Sequence, residues 1–232
     1  MEKYEHITEA LQRTEVLRFP KQKLATFGIT NIRYYIITEP LINELIDNRE
    51  NDLVIREGKV VAEKPQIITP YYLNNMFSGF EHGQEYTEYV REQYNNNPGL
   101  LYKYKNDFKK MEIISEKLEV VVENLQVSLD NSGDPLTTII KGVNRYWDIS
   151  LMKFIFDLTT SSLVNNIADL NSRGLLTVDS TGLPRDARVK IENLFDDVKK
   201  GRTDPSVLKK ELDCWGVFKE YENRFLDLFS KR

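Results

Sequence analysis

Between Leu101 and Leu129 the residues Leu101, Tyr104, Phe108, Met111, Leu118, Val122, Leu125 and Leu129 recur at alternating spacings of three and four, with Ser115 alone breaking the apolar series. This is the pattern of a heptad seam, and it predicts one continuous helix. At about 1.5 Å per residue the helix would run roughly 40 Å, longer than a small domain is wide. Other segments, or a second copy of the chain, must then cover its stripe.

The charges on this stretch are segregated. Lys103, Lys105, Lys109 and Lys110 fall in the first half and Glu112, Glu116, Glu119 and Glu123 in the second. That order opposes the helix macrodipole, and Lys105–Lys109, Glu112–Glu116 and Glu119–Glu123 are like-charge pairs four residues apart. A neighbour has to compensate it. One flank of the seam, Tyr102, Lys109, Glu116 and Glu123, is self-complementary in an antiparallel copy, where Lys109 meets Glu116; this predicts a homodimer through the 101–129 helix. The other flank, Lys103, Lys110 and Lys117, calls for an acidic helix, which Glu211, Asp213, Glu220 and Asp227 could supply.

Ahead of this stretch the texture is partly β. Glu2–Thr14 has helical spacing through Tyr4, Ile7 and Leu11. Asn31–Glu39 is β-branched and aromatic, which predicts a strand with both faces at least partly covered. Asp52–Arg56 and Lys59–Glu63 read as two strands joined at Glu57-Gly58 by a tight turn, and Gln66–Thr69 as an edge continuation. Leu41–Ile46 is short and apolar, and Asp47–Asp52 reads as a loop. Helical spacing resumes from Glu85 to Tyr94 and stops at Asn95–Gly99.

After the long stretch, Asp134 and Pro135 suit the N-cap and first position of a helix carrying Leu136, Ile139, Ile140 and Val143. Asp148 opens another that ends near Gly174. Pro184 and Gly201 bracket a third, and Asp204-Pro205 starts a last one reaching Phe229. The expected fold is therefore α+β but mainly helical. A small antiparallel sheet at about residues 25–70 accompanies a C-terminal bundle built on the long central helix, with a domain boundary dividing 1–97 from 98–232.

Composition narrows the function classes. The 232 residues are 41% hydrophobic and 29% charged with net charge −4, ordinary for a globular chain. Cys214 is the single cysteine, which excludes an internal disulfide and fits a reducing, cytoplasmic setting. No apolar run approaches the length of a membrane span, so no membrane is expected.

Catalytic signatures are sparse. His6 and His82 are the only histidines, and neither phosphate-loop glycine pattern nor a nucleophile elbow is present. Neither a cofactor nor a metal is expected. Glu57-Gly58-Lys59 with Asp47 or Asp52 formally matches the end of a metal-dependent nuclease pattern, but a hairpin turn accounts better for Glu57 and Gly58. The most site-like stretch is Pro70–Gly83, where Tyr71, Tyr72, Met76, Phe77 and Phe80 crowd around His82. Such a segment serves either a ligand or partner surface or the packing of a sheet-to-helix crossing.

These observations predict a non-enzymatic interaction or regulatory protein that uses amphipathic helices as partner or dimerisation surface. The enzyme alternative is a hydrolase or transferase acting on a small or nucleotide-like ligand at the sheet–helix junction, using Arg33, Glu39, Tyr72 and His82. A third reading is nucleic-acid binding through the basic faces Lys103–Lys110, Arg185–Lys190 and Lys199–Arg202.

Overall fold

The computed structural model describes residues 5–39, 52–69, 72, 75, 88, 92, 99–180 and 182–229 of the chain. They form two compact units. One comprises residues 1–64 and 102–166, the other 65–101 and 167–232.

The first unit is built on a five-stranded mixed sheet. Its elements are α1 (Glu5–Arg13), β1 (Glu15–Arg18), β2 (Thr30–Glu39), β3 (Asp52–Ala62), β6 (Tyr104–Ser115), α2 (Leu118–Ser132), β7 (Thr137–Val143) and the start of α3 (Trp147–Ser172). Strand order is β1-β7-β2-β3-β6. β2, β3 and β6 are successive antiparallel neighbours, β7 lies parallel to β2, and β1 closes the far side antiparallel to β7. The chain therefore leaves β6 at one edge, passes through α2 and returns beside β2.

Residue alternation on β2 decides the layers. Ile32, Tyr34 and Ile36 pack with Val60 and Ile140 under Leu151, Phe154 and Leu158 of α3. Ile37 and half-buried Tyr35 point the other way, with Ile55 and Ile139, under Val121, Leu125 and Leu129 of α2. The expectation of a strand with two covered faces holds, and one helix covers each.

Several expectations are corrected. The fold is α+β without being mainly helical, and its strands extend well beyond 25–70. The continuous 101–129 helix does not form. Leu101 ends a short strand, Gly99–Leu101, residues 104–115 are β6, and only α2 is helical. The unfavourable charge order was the symptom: in β6 Lys109 and Lys110 both meet Glu57 of β3. Glu57-Gly58 is no turn, because β3 runs unbroken through it for 11 residues. Residues 137–143 are strand and not helix. The Asp134 carboxylate accepts from the Leu136 N–H at 2.9 Å, and the β-branched run that follows pairs with β1 and β2. Apart from Tyr72, Asn75, Glu88 and Glu92, the predicted elements within 41–51 and 70–98 lie outside the described residues.

The second unit holds β4 (Gln66–Ile68) paired antiparallel with β5 (Gly99–Leu101), the end of α3, α4 (Arg185–Lys199), α5 (Pro205–Trp215) and α6 (Phe218–Leu226). Asp204 caps α5 as expected, accepting from the Ser206 N–H at 2.8 Å ahead of Pro205. The last helix is broken in two at Gly216, whose φ of 68° a side chain would resist. Ile191, Phe195, Leu208, Leu212 and Trp215 centre its core. Glu211 is buried there. It accepts from Trp215 Nε1 at 2.9 Å, Lys190 Nζ at 2.7 Å and the Tyr72 hydroxyl at 3.3 Å.

Two stability outcomes follow from these contacts. A Cβ at Gly58 would collide with the ring and hydroxyl of Tyr34, which is fully buried, so Gly58→Ala should cost about 1–3 kcal/mol in urea unfolding. An unchanged midpoint would contradict the close approach. Glu211→Ala strands the Trp215 N–H and should cost about 2–4 kcal/mol, while Glu211→Gln, which keeps an acceptor, should recover part of that loss.

Candidate functional site

β6 is the most exposed strand of the first unit's sheet. Its register with β3 slips once: Glu57 opposes Lys110 and Gly58 opposes Phe108, so Lys109 is the extra residue of a β-bulge. The bulge shifts the alternation. Asn106, Phe108, Met111 and Ile113 share the face that β3 turns to α3, while Asp107, Lys110, Glu112 and Ile114 share the face turned to α2.

On the α2 side lies a cleft of about 320 Å³ lined by Tyr35, Ile55, Glu57, Lys110, Glu112 and Asn124 among others. Glu57 is 7% exposed and is held by Lys109 at 2.7 Å and Lys110 at 3.6 Å. Lys110 also reaches Glu112 at 2.7 Å, and Lys59 lies 3.7 Å from Asp107. Burial alone would raise the Glu57 carboxyl. The hydrogen bond and charge of Lys109, with Lys110 and Arg33 behind it, outweigh burial and hold the carboxyl below its ordinary value. The bulge makes this possible, because it brings two successive lysines to one carboxylate.

On the α3 side the Tyr34 hydroxyl donates to Asn106 at 3.0 Å. Phe108 tilts against Trp147 at 6.0 Å between ring centroids, and the Arg56 guanidinium sits 5.5 Å from the centroid of the same indole. Arg56 is itself buried, donating to Thr38 at 3.0 Å and Asn144 at 2.8 Å. Despite these supports Phe108, Met111 and Ile113 are 48%, 54% and 53% exposed. Among the described residues β6 pairs only with β3, which leaves its outer backbone edge open along the strand.

The residues singled out in the sequence are dispersed. Arg33, on β2, points toward Asp134 at 4.0 Å and contributes to the field at Glu57; Glu39 ends β2 in solvent. Tyr72 belongs to the second unit's core and is spent on packing against Trp215 and bonding Glu211. Tyr71, Phe77 and His82 lie outside the described residues. The four residues of the supposed helix edge share no helix: Tyr102 is in a connection with its hydroxyl 2.9 Å from the Asn166 amide, Lys109 is the bulge, Glu116 follows β6, and Glu123 is on α2. Phe108, Met111 and Ile113 were overlooked as surface because the seam assigned Phe108 and Met111 to a helix interior.

Glu57 and Lys59 share a face in mid-strand, so the turn does not explain them. Asp52, however, is hydrogen-bonded to Ser115, Asp47 lies outside the described residues, and among those described no three His, Cys, Asp or Glu side chains group as a metal site. No described helix is long and apolar enough to cross a membrane.

The lowered Glu57 value ties stability to pH. Its contribution is complete above the ordinary carboxylate value near 4.5 and is lost as pH falls through the lower folded-state value. Wild type should therefore lose more stability than Glu57→Gln between about pH 6 and pH 3, measured by thermal unfolding across that range. Equal acid sensitivity would remove the ion-pair account.

No protein-family model matches this chain, and neither curated proteins nor solved structures provide a match.

Proposed function

We propose that this chain is a non-enzymatic interaction protein whose β6 edge receives an extended strand of another polypeptide. The supporting observation is the open 12-residue edge of β6 combined with half-exposed Phe108, Met111 and Ile113 on one face. Backbone groups of an added strand would bond to the edge, and alternate side chains would cover those three. The opposite edge of the sheet is a contrast. β1 is four residues long and irregular in register, which are common devices for blocking strand addition. β6 carries a bulge and lysines, which also protect edges, but protection alone does not account for three large apolar side chains left half in water. α3 exposes Phe156 and Val164 as well, yet a helix has no free backbone ladder to offer.

The catalytic alternative draws no support from Tyr72, whose hydroxyl is committed to Glu211. For nucleic acid, Lys109 and Lys110 are already neutralised by Glu57 and Glu112.

A photo-crosslinking side chain at Ile113, irradiated in the producing cells, should yield an adduct with a polypeptide, whereas the same group at exposed Val127 on α2 should not. Absence of an adduct above the Val127 control would overturn the proposal.

A further inference from the structure

We infer that the strand received by the β6 edge is β6 of a second copy, paired antiparallel about a twofold axis at Met111. This rests on the edge reading above and names its partner. Directly opposed side chains of an antiparallel pair share a face of the sheet, and a twofold pairing sets each residue against a counterpart of the same strand. With Lys109 left out as the bulge, as it is against β3, only certain registers keep the faces matched.

The register centred on Met111 opposes Met111 to Met111, Phe108 to Ile113, and Lys110 to Glu112. All three half-exposed apolar residues then meet apolar counterparts on the α3 face. On the α2 face two lysines and two glutamates alternate around the axis. The neighbouring face-matched registers fail on charge. Centring on Lys110 sets two lysines together and Asp107 against Glu112, while centring on Glu112 sets two glutamates together. Like charges directly opposed are destabilising, so electrostatics favours the Met111 register over these two neighbours, and it is the register that pairs all three half-exposed apolar residues among themselves. The segregated charges of residues 103–116 thus acquire a use: a strand that is basic before its midpoint and acidic after it is complementary to its own reverse.

The test uses charge exchange on the intact chain. Wild type at roughly 50 μM should show twice the chain mass by light scattering. Lys110→Glu and Glu112→Lys should each weaken self-association about tenfold or more, because every cross-strand pair becomes repulsive. Mixing the two variants should restore a dimer containing one of each, since every pair is again opposite in sign. A wild-type monomer, or a mixture that stays monomeric while both variants keep the wild-type circular dichroism, overturns self-pairing.

Lys110→Glu adds an acid beside Glu57, so Met111→Cys provides a second test if that variant fails to fold. Opposed residues of an antiparallel pair lie about 4.5–5.5 Å apart at Cα, within disulfide reach. Met111→Cys should form an interchain disulfide under mild oxidation, and exposed Ile29→Cys should not; equal cross-linking of both overturns the register. In the Ile113 photo-crosslinking experiment an adduct with a different protein overturns self-pairing while sparing the edge reading, and no adduct overturns both.

Discussion

β2 carries apolar side chains on both of its faces, and the architecture of the first unit follows from having to bury them. Ile32, Tyr34 and Ile36 on one side and Ile37 on the other are essentially removed from water. A strand of this kind requires a layer above and a layer below. Placing α2 on one face and α3 on the other meets the requirement, and the connection through α2 carries the chain from β6 over the sheet to β7. β7 can then lie parallel to β2, because a crossover rather than a tight turn joins it to the preceding strand. Where β3 passes Tyr34 the space is so fully used that only glycine fits at position 58.

The bulge lies beside this crowded position. Gly58 supplies no side chain to its strand, and the register between β3 and β6 slips at that step. The slip delivers Lys109 and Lys110 together to Glu57, a carboxylate that would otherwise be buried without compensation. It also turns Met111 and Ile113 onto the face of Phe108. One backbone irregularity therefore underlies both the polar cleft and the apolar ridge of β6.

How far this was legible from the residues can be argued at particular places. The β2 strand, the helix opening near Asp148, the helix between Pro184 and Gly201 and the Asp204 cap were all readable, because each depends on local chemistry: β-branched composition, a proline start or a side-chain cap. β6 was not. A strand has a period of two, but the extra residue of the bulge lengthens one step to three, so Tyr104, Phe108 and Met111 mimic the four-then-three spacing of a heptad. The genuine seam of α2 that follows completed the illusion. The wrong-way charge order was the available signal that the first half was not helical. β7 failed for a different reason. Asp134-Pro135 is a proper helix start, and only partners distant in sequence, β1 and β2, make extended backbone better for Thr137–Val143.

Tyr72 and Phe108 show why aromatic crowding is a poor guide to a site. Tyr72 stands in an aromatic, loosely patterned stretch, and Phe108 follows Tyr102 and Tyr104 in a heptad-like one. Tyr72 is closed into a core by Trp215 and by Glu211, whose carboxylate takes its hydroxyl. Phe108 leans on Trp147 but is 48% exposed, and among the described residues β6 is the last strand of its sheet. The difference is one of position and not of composition: Tyr72 lies within a core built by helices, Phe108 on an edge strand. A residue on an interior strand has its outer face filled by whatever covers the sheet, whereas one on an edge strand leaves both a side chain and a row of backbone donors and acceptors to be satisfied from outside. Water can hydrogen-bond to an edge backbone but gains nothing from Phe108, Met111 and Ile113, so the proposed added strand would remove a cost that solvent leaves in place.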